Sequence, residues 1–161
     1  MEVSKLQLKS NSLVHDLHLI NIFESIKGSR KVDHFVTENE LQCLTKWQEE
    51  DFIKDFVELN SDGYLSLKID NESYHTSIEY EHSENSKKKY ENLVIDYYLN
   101  SSVDVVLFFT NKDWIRNHII QVEKEQYQNQ DPKFYFLKTS YELRAIDDFT
   151  FMNRKGQKLK L

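Results

Sequence analysis

The chain reads as an α/β protein, with one mixed central β-sheet flanked by helices and a helical segment in front of it. Three observations predict this. Apolar residues recur at helical spacing before Gly28, after Thr37, over 86–99 and again after Asp113. The pattern switches to alternation over 64–82, and residues 103–109 form an apolar run broken only by Asp104, the pattern of a strand buried on both faces. The order helix, helix, strand, strand, helix, strand, helix, strand then builds a single sheet. Its first two strands are joined by a hairpin, and the later ones pair in parallel through right-handed crossovers.

Leu13, Leu17 and Ile20, with Leu19, Phe23 and Ile26, predict a broad-faced helix over 12–27 that ends at Gly28. Thr37-Glu38-Asn39-Glu40 is a capping box, in which the threonine hydroxyl caps exposed amides and Glu40 reaches back; Leu41, Leu44 and Trp47 supply that helix with a buried side. Asn60-Ser61-Asp62-Gly63 is a turn signal before a strand from Tyr64 to Ile69, and Asp70-Asn71-Glu72-Ser73 is the expected hairpin loop. The partner strand, Tyr74 to His82, places Ser77, Glu79 and Glu81 on one face and Ile78 and Tyr80 on the other. Tyr90, Leu93, Val94 and Tyr97 give the next helix its apolar side, with Asn100-Ser101-Ser102 ending it. Asn111 and Asp113 are candidate caps for a helix carrying Trp114, Ile115, His118, Ile119 and Val122; Asp131-Pro132 breaks it before a last strand, Phe134 to Leu137.

With 161 residues the chain fits one domain, divided into a helical N-terminal part (1–58), a core (59–140) and a basic C-terminal tail (141–161). Its 21 aromatic residues can fill a core, which argues against disorder. No run approaches 18 apolar residues, and Met1-Glu2-Val3-Ser4-Lys5 is too polar to begin a secretory signal, so the expectation is a soluble cytoplasmic protein with no membrane partner. The lone Cys43 excludes an internal disulfide and thiolate-held cofactors. Glycine occurs only at 28, 63 and 156, so there is no phosphate-cradling loop, and no nucleophile elbow is present; ATP-driven and nicotinamide chemistry are excluded. A net charge of −6 means that any grip on nucleic acid must be local. Two basic strips qualify: Lys87, Lys88 and Lys89, and the tail cations Arg154, Lys155, Lys158 and Lys160. Acid gathers over 38–58. His15 and His18, three apart on an apolar helix face, read as packed or capped groups in preference to metal ligands.

The residues able to carry chemistry are Asp62 at the mouth of the first strand, Glu79 and Glu81 on one face of its partner, and the lysines that open the following helix. Hard oxygen ligands for a magnesium ion, together with an ammonium that orients water or offsets developing charge, are what metal-assisted phosphodiester hydrolysis requires. The expected ligands of Mg2+ (or Mn2+) are Asp62, Glu79 and the Tyr80 carbonyl, with Glu81 as a further ligand or an outer group and Lys87 as the catalytic ammonium, since it lies one helical turn before Tyr90.

Ser61-Asp62-Gly63, Ile78-Glu79-Tyr80-Glu81-His82-Ser83 and Ser86-Lys87-Lys88-Lys89-Tyr90 resemble the core of the PD-(D/E)XK, or restriction-endonuclease-like, nucleases. The likeness covers about half the chain and is greatest for the plasmid mobilisation and replication-relaxation branch, which His15-Asp16-Leu17 and Thr37-Glu38-Asn39-Glu40-Leu41 also resemble. The resemblance implies an αβββαβ core, a metal-dependent DNA endonuclease, and DNA as partner in a plasmid or other mobile element, with a homodimer or a second protein of that element helping to hold it. The chain departs from the pattern at Glu81, where the parent motif has lysine, and at Asn85, where the Glu-x-Glu branch commonly places it. These departures leave an alternative open: a nuclease fold without turnover that serves as a DNA-binding or dimerising accessory factor.

Overall fold

A computed structural model describes residues 13–43, 51–138 and 149–161. Within them Leu13–Ile26 form α1, Val32–Thr37 β1, Glu38–Cys43 α2, Asp51–Glu58 α3, Gly63–Ile69 β2, Glu72–Glu81 β3, Lys87–Leu99 α4, Val105–Thr110 β4, Asp113–Gln126 α5, Phe134–Lys138 β5, Thr150–Asn153 β6 and Lys158–Lys160 β7. The strands make one mixed sheet in chain order, β1 to β7. β1, β2 and β3 are antiparallel neighbours, β3, β4 and β5 are parallel, and β6 and β7 return antiparallel. The hairpin followed by parallel crossovers is therefore as the periodicity predicts.

The hairpin loop is shorter than expected. Asp70 and Asn71 both take positive φ (51° and 68°), so two residues close the turn and Glu72 and Ser73 join β3, pairing with Ile69 and Lys68. Aspartate and asparagine tolerate this left-handed backbone, which suits the twist of a two-residue hairpin. The capping box forms as predicted: Thr37 N–H and its hydroxyl donate to Glu40 Oε2 at 2.8 and 2.9 Å, and Glu40 N–H donates to Thr37 Oγ1 at 3.4 Å. Its continuation through Leu44 and Trp47 lies outside the described residues. α5 is not capped by Asn111 or Asp113; Lys112 is the N-cap residue, without a side-chain bond, and Asp113 instead meets Arg116 at 3.4 Å within the first turn.

Three strands escape the sequence pattern. β1 interrupts the part expected to be helical, and β6 and β7 fold the described end of the basic tail onto the sheet, with Phe151 fully buried. All three lie at or near the edges of the sheet, where a strand needs few apolar residues and its pairing comes from the neighbour. In β1 only Val36 is buried.

Alternation along the strands separates two apolar layers. Tyr64, Val106, Phe108, Phe134 and Phe136 pack under α2–α5 with Leu41, Phe56, Tyr90, Val94, Tyr97, Ile115 and Ile119. Leu65, Leu67, Ile78, Tyr80, Leu107 and Phe109 pack on the other face with α1, Phe149 and Phe151. α1 presents Leu19, Ile22, Phe23 and Ile26 to that layer, while Leu13, Val14, Leu17 and Ile20 remain 50–68% exposed. The apolar spacing of α1 offers two stripes to one sheet. The stripe chosen is the one that lets Phe23 lie against Gly63, where an added Cβ would stand 2.4 Å from the ring. Its N-terminal continuation along the helix is His15 and His18.

Candidate active site

Asp62 ends the loop before β2 and is tied to β3 on either side of Glu79. Its N–H donates to the Ile78 carbonyl at 3.1 Å, and its Oδ2 accepts the Tyr80 N–H at 2.7 Å. These two bonds place the carboxylate at the rim of the hairpin, beside the strand face that carries Glu79. The face assignment from alternation holds: Ser77 and Glu79 lie under α4 with Tyr97, and Ile78 and Tyr80 lie under α1.

A cleft of about 670 Å³ opens there, lined among others by His15, Asp62, Glu79, Glu81, Lys89 and Asp96. Glu79 Oε1 accepts the Tyr97 hydroxyl, and burial together with the neighbouring Asp62 charge pushes the Glu79 carboxyl well above the usual carboxylate range. His15 Nε2 lies 3.8 Å from Asp62 Oδ2 and 3.2 Å from the Tyr80 carbonyl. The Asp62 carboxylate beside it raises the imidazole from 6.5 to about 9, against the opposing effect of burial. His18 Nδ1 meets the Tyr80 hydroxyl, and His82 stacks on the Tyr80 ring at 5.9 Å.

Glu81 closes the far side. Its Oε1 accepts Ser83 N–H and Oγ at 3.1 and 2.9 Å, and its Oε2 accepts Asn85 Nδ2 at 2.8 Å and Lys89 Nζ at 3.4 Å. The carboxylate thus anchors the β3–α4 loop, which matches an outer position and not an ion ligand. Proximity to Glu81, after burial, also lifts the Tyr90 hydroxyl to about 12.

The lysine of the cleft is Lys89 and not Lys87. Lys89, Leu93 and Asp96 are four and three residues apart and form the cleft edge of α4, whereas Tyr90, Val94 and Tyr97 form its buried edge. Lys87 falls on the opposite flank, exposed, with its carbonyl 3.3 Å from His118 of α5. One helical turn from Tyr90 is therefore the wrong side, because the cleft lies along the edge of the helix and not beneath it. Lys88 is exposed and pairs with Glu91 at 3.5 Å. In the tail, Arg154 is not a phosphate contact: its guanidinium is buried, donating to the Tyr127 and Gln130 carbonyls at 2.8 and 2.7 Å, with Nε 4.0 Å from buried Glu123. Lys155 reaches Asp131 at 3.5 Å, and Lys158 is exposed on β7.

Among the described residues no cluster of three or more His, Cys, Asp or Glu side chains is arranged to hold an ion. Magnesium needs fewer protein ligands, since water and substrate phosphate complete its octahedron. Asp62 and Glu79 fit that requirement: each has one oxygen engaged, and Asp62 Oδ1 and Glu79 Oε2 have no hydrogen-bond partner among the described residues. The Tyr80 carbonyl fits less well, because His15 already donates to it. His15 and Tyr97 are the site residues that sequence reasoning missed. The signals were present: a histidine on the same stripe as Leu19, Ile22 and Ile26, and a tyrosine on the buried side of a helix facing a strand position occupied by serine.

No helix among the described residues is long and apolar enough to cross a membrane. No family model, no curated protein and no solved structure matches the chain.

Proposed function

We propose that the chain is a metal-dependent endonuclease of the restriction-endonuclease-like kind, acting on DNA with Asp62 and Glu79 as the Mg2+ or Mn2+ ligands and Lys89 as the ammonium. The observation that carries this reading is the convergence of Asp62, Glu79, Glu81 and Lys89 on one cleft at the open end of the β2–β3 hairpin. The topology supports it in part: α1, the antiparallel β1–β2–β3, α4 and the parallel β4 follow the order of an αβββαβ core, with α2 and α3 inserted between β1 and β2. A bound divalent ion supplies Lewis acidity toward a phosphate oxygen and lowers the pKa of a water at neutral pH.

The chain's own groups divide the remaining work. Tyr80 N–H and His15 hold Asp62, Tyr97 holds Glu79, and Lys89 sits where it offsets charge that develops on phosphate. The cleft is acidic toward Glu58 and Asp96, which line its neighbouring hollow. Lys88, Lys89, Lys112 and Arg116 lie at the starts of α4 and α5, each within 3.6 Å of an acid (Glu91, Glu81, Glu84 and Asp113), so a polyanion entering from that edge would have to displace those acids.

Plasmid nicking or cleavage should require Mg2+ or Mn2+, vanish in Glu79→Ala, fall at least a hundredfold in Lys89→Met, and survive in Lys87→Met. Undiminished cleavage by Glu79→Ala overturns the reading. One observation favours the accessory-factor alternative, namely that Lys89 is engaged by Glu81 and so is not free in this state. That alternative expects no cleavage by the wild type, with DNA binding that is retained in Glu79→Ala and weakened by neutralising Lys88 and Lys89.

A further inference from the structure

Three hydroxyls lie behind Glu79, all in fully buried residues: Ser61, Ser77 and Tyr97. Ser77 Oγ donates to Ser61 Oγ at 2.9 Å, and both serine oxygens lie within hydrogen-bond distance of the Tyr97 hydroxyl, at 2.6 Å from Ser77 and 2.9 Å from Ser61. The Tyr97 hydroxyl in turn donates to Glu79 Oε1. Each hydroxyl has one hydrogen to give. The Tyr97 hydrogen goes to the carboxylate, so within this group the serine hydroxyls can donate only to each other or to Tyr97, and the network ends on Glu79.

The tyrosine has little freedom to do otherwise. Its ring meets Phe134 edge-on at 5.6 Å, and its own carbonyl is held by Lys133 Nζ at 3.0 Å. Its hydroxyl is within hydrogen-bond distance of two buried serine hydroxyls and the Glu79 carboxylate. Without that donor, Glu79 Oε1 would be buried against α4 with nothing to accept.

We infer that Tyr97, set by Ser61 and Ser77, is a positioning residue that holds one oxygen of Glu79 inward so that the other is presented to a divalent cation in the cleft. This rests on the proposed function, because it assigns Glu79 the role of ligand. The device explains why the site can bind with only two carboxylates: a ligand locked in one rotamer loses no freedom when the ion arrives. It also gives Ser61 a role beyond the turn in which the sequence places it.

The test is Mn2+ binding to the full chain, measured by titration calorimetry, with thermal melts as a check on folding. Tyr98→Phe is the control, since Tyr98 is the next residue of α4 and donates to Glu123, away from the cleft. Tyr97→Phe should weaken Mn2+ binding about tenfold or more, the usual range for groups that hold a ligand from behind. Tyr98→Phe should lower the melting temperature without changing Mn2+ affinity. Ser77→Ala, a smaller lesion, should weaken binding by about threefold and decides the matter if Tyr97→Phe does not fold. Wild-type protein that binds no Mn2+ would overturn the proposed function and this inference with it. Wild-type binding that Tyr97→Phe and Ser77→Ala leave unchanged overturns the inference alone.

Discussion

Glu79, part-buried, and Glu123, fully buried, both accept a hydroxyl from α4, one from Tyr97 and the other from Tyr98. Burial raises both carboxyls above their usual range. Their surroundings then diverge. Glu123 Oε1 also receives the N–H groups of Lys133 and Phe134 at 3.3 and 3.4 Å, and Arg154 stands 4.0 Å from Oε2. Glu79 has a second carboxylate, Asp62, as its charged neighbour and opens on a cleft. The pair shows how one chemical unit, a glutamate under a tyrosine, becomes a joint in one place and the wall of an open cleft in another. What differs is whether the other charges nearby satisfy it or oppose it.

The largest effect that could break this comparison is on stability at Glu123. Glu123→Ala removes the acceptor for three donors and leaves the Arg154 guanidinium buried without its acid. We expect a loss of about 3–5 kcal/mol in chemical denaturation. A loss below 1 kcal/mol would mean that the joint is not holding β5, β6 and α5 together. Tyr98→Phe keeps the two backbone donors and should cost less, about 1–3 kcal/mol in the same assay.

Glu79→Gln should move stability the other way. It removes a carboxylate that burial and Asp62 both disfavour while keeping an acceptor for Tyr97, so we expect a gain of about 1 kcal/mol in metal-free buffer. A destabilised Glu79→Gln protein would place Glu79 with Glu123 as a structural acid. The pH dependence has the matching sign. A carboxyl whose folded pKa lies above its unfolded value binds more protons in the folded state, so stability falls as pH rises from the unfolded value of about 4.5 toward the raised one. That slope should flatten in Glu79→Gln.

A further pH-dependent effect is expected at His15. Its folded pKa of about 9 lies above the unfolded 6.5, so its contribution is complete below pH 6.5 and is lost as pH rises through about 9. His15→Gln should therefore be less stable than wild type below pH 6.5 and should converge with it above pH 9, in EDTA, by thermal melts. A constant difference across that window would show that His15 acts through packing alone.

Much of the fold was legible locally. The two-residue alternation of β3 placed Glu79 under one layer and Tyr80 under the other, and the capping box at Thr37 and Glu40 formed as drawn. The edge strands were not legible, because β1, β6 and β7 owe their pairing to neighbours distant in sequence. The cleft was legible in its acids and not in its lysine. Which of three adjacent lysines reaches the cleft depends on the rotation of α4 about its axis, and that is set by Tyr90, Val94 and Tyr97 packing on the sheet.

Local chemistry alone determined the strand faces, the turns and the capping of α2, because the interactions involved span a few residues and follow the backbone's own periods. Only tertiary packing decided that His15 of α1 reaches Asp62, that Arg154 is buried against Glu123, and that Tyr97 holds Glu79. These pairs lie 47, 31 and 18 residues apart in the chain. No local preference encodes them, since they follow from how two apolar layers share one sheet.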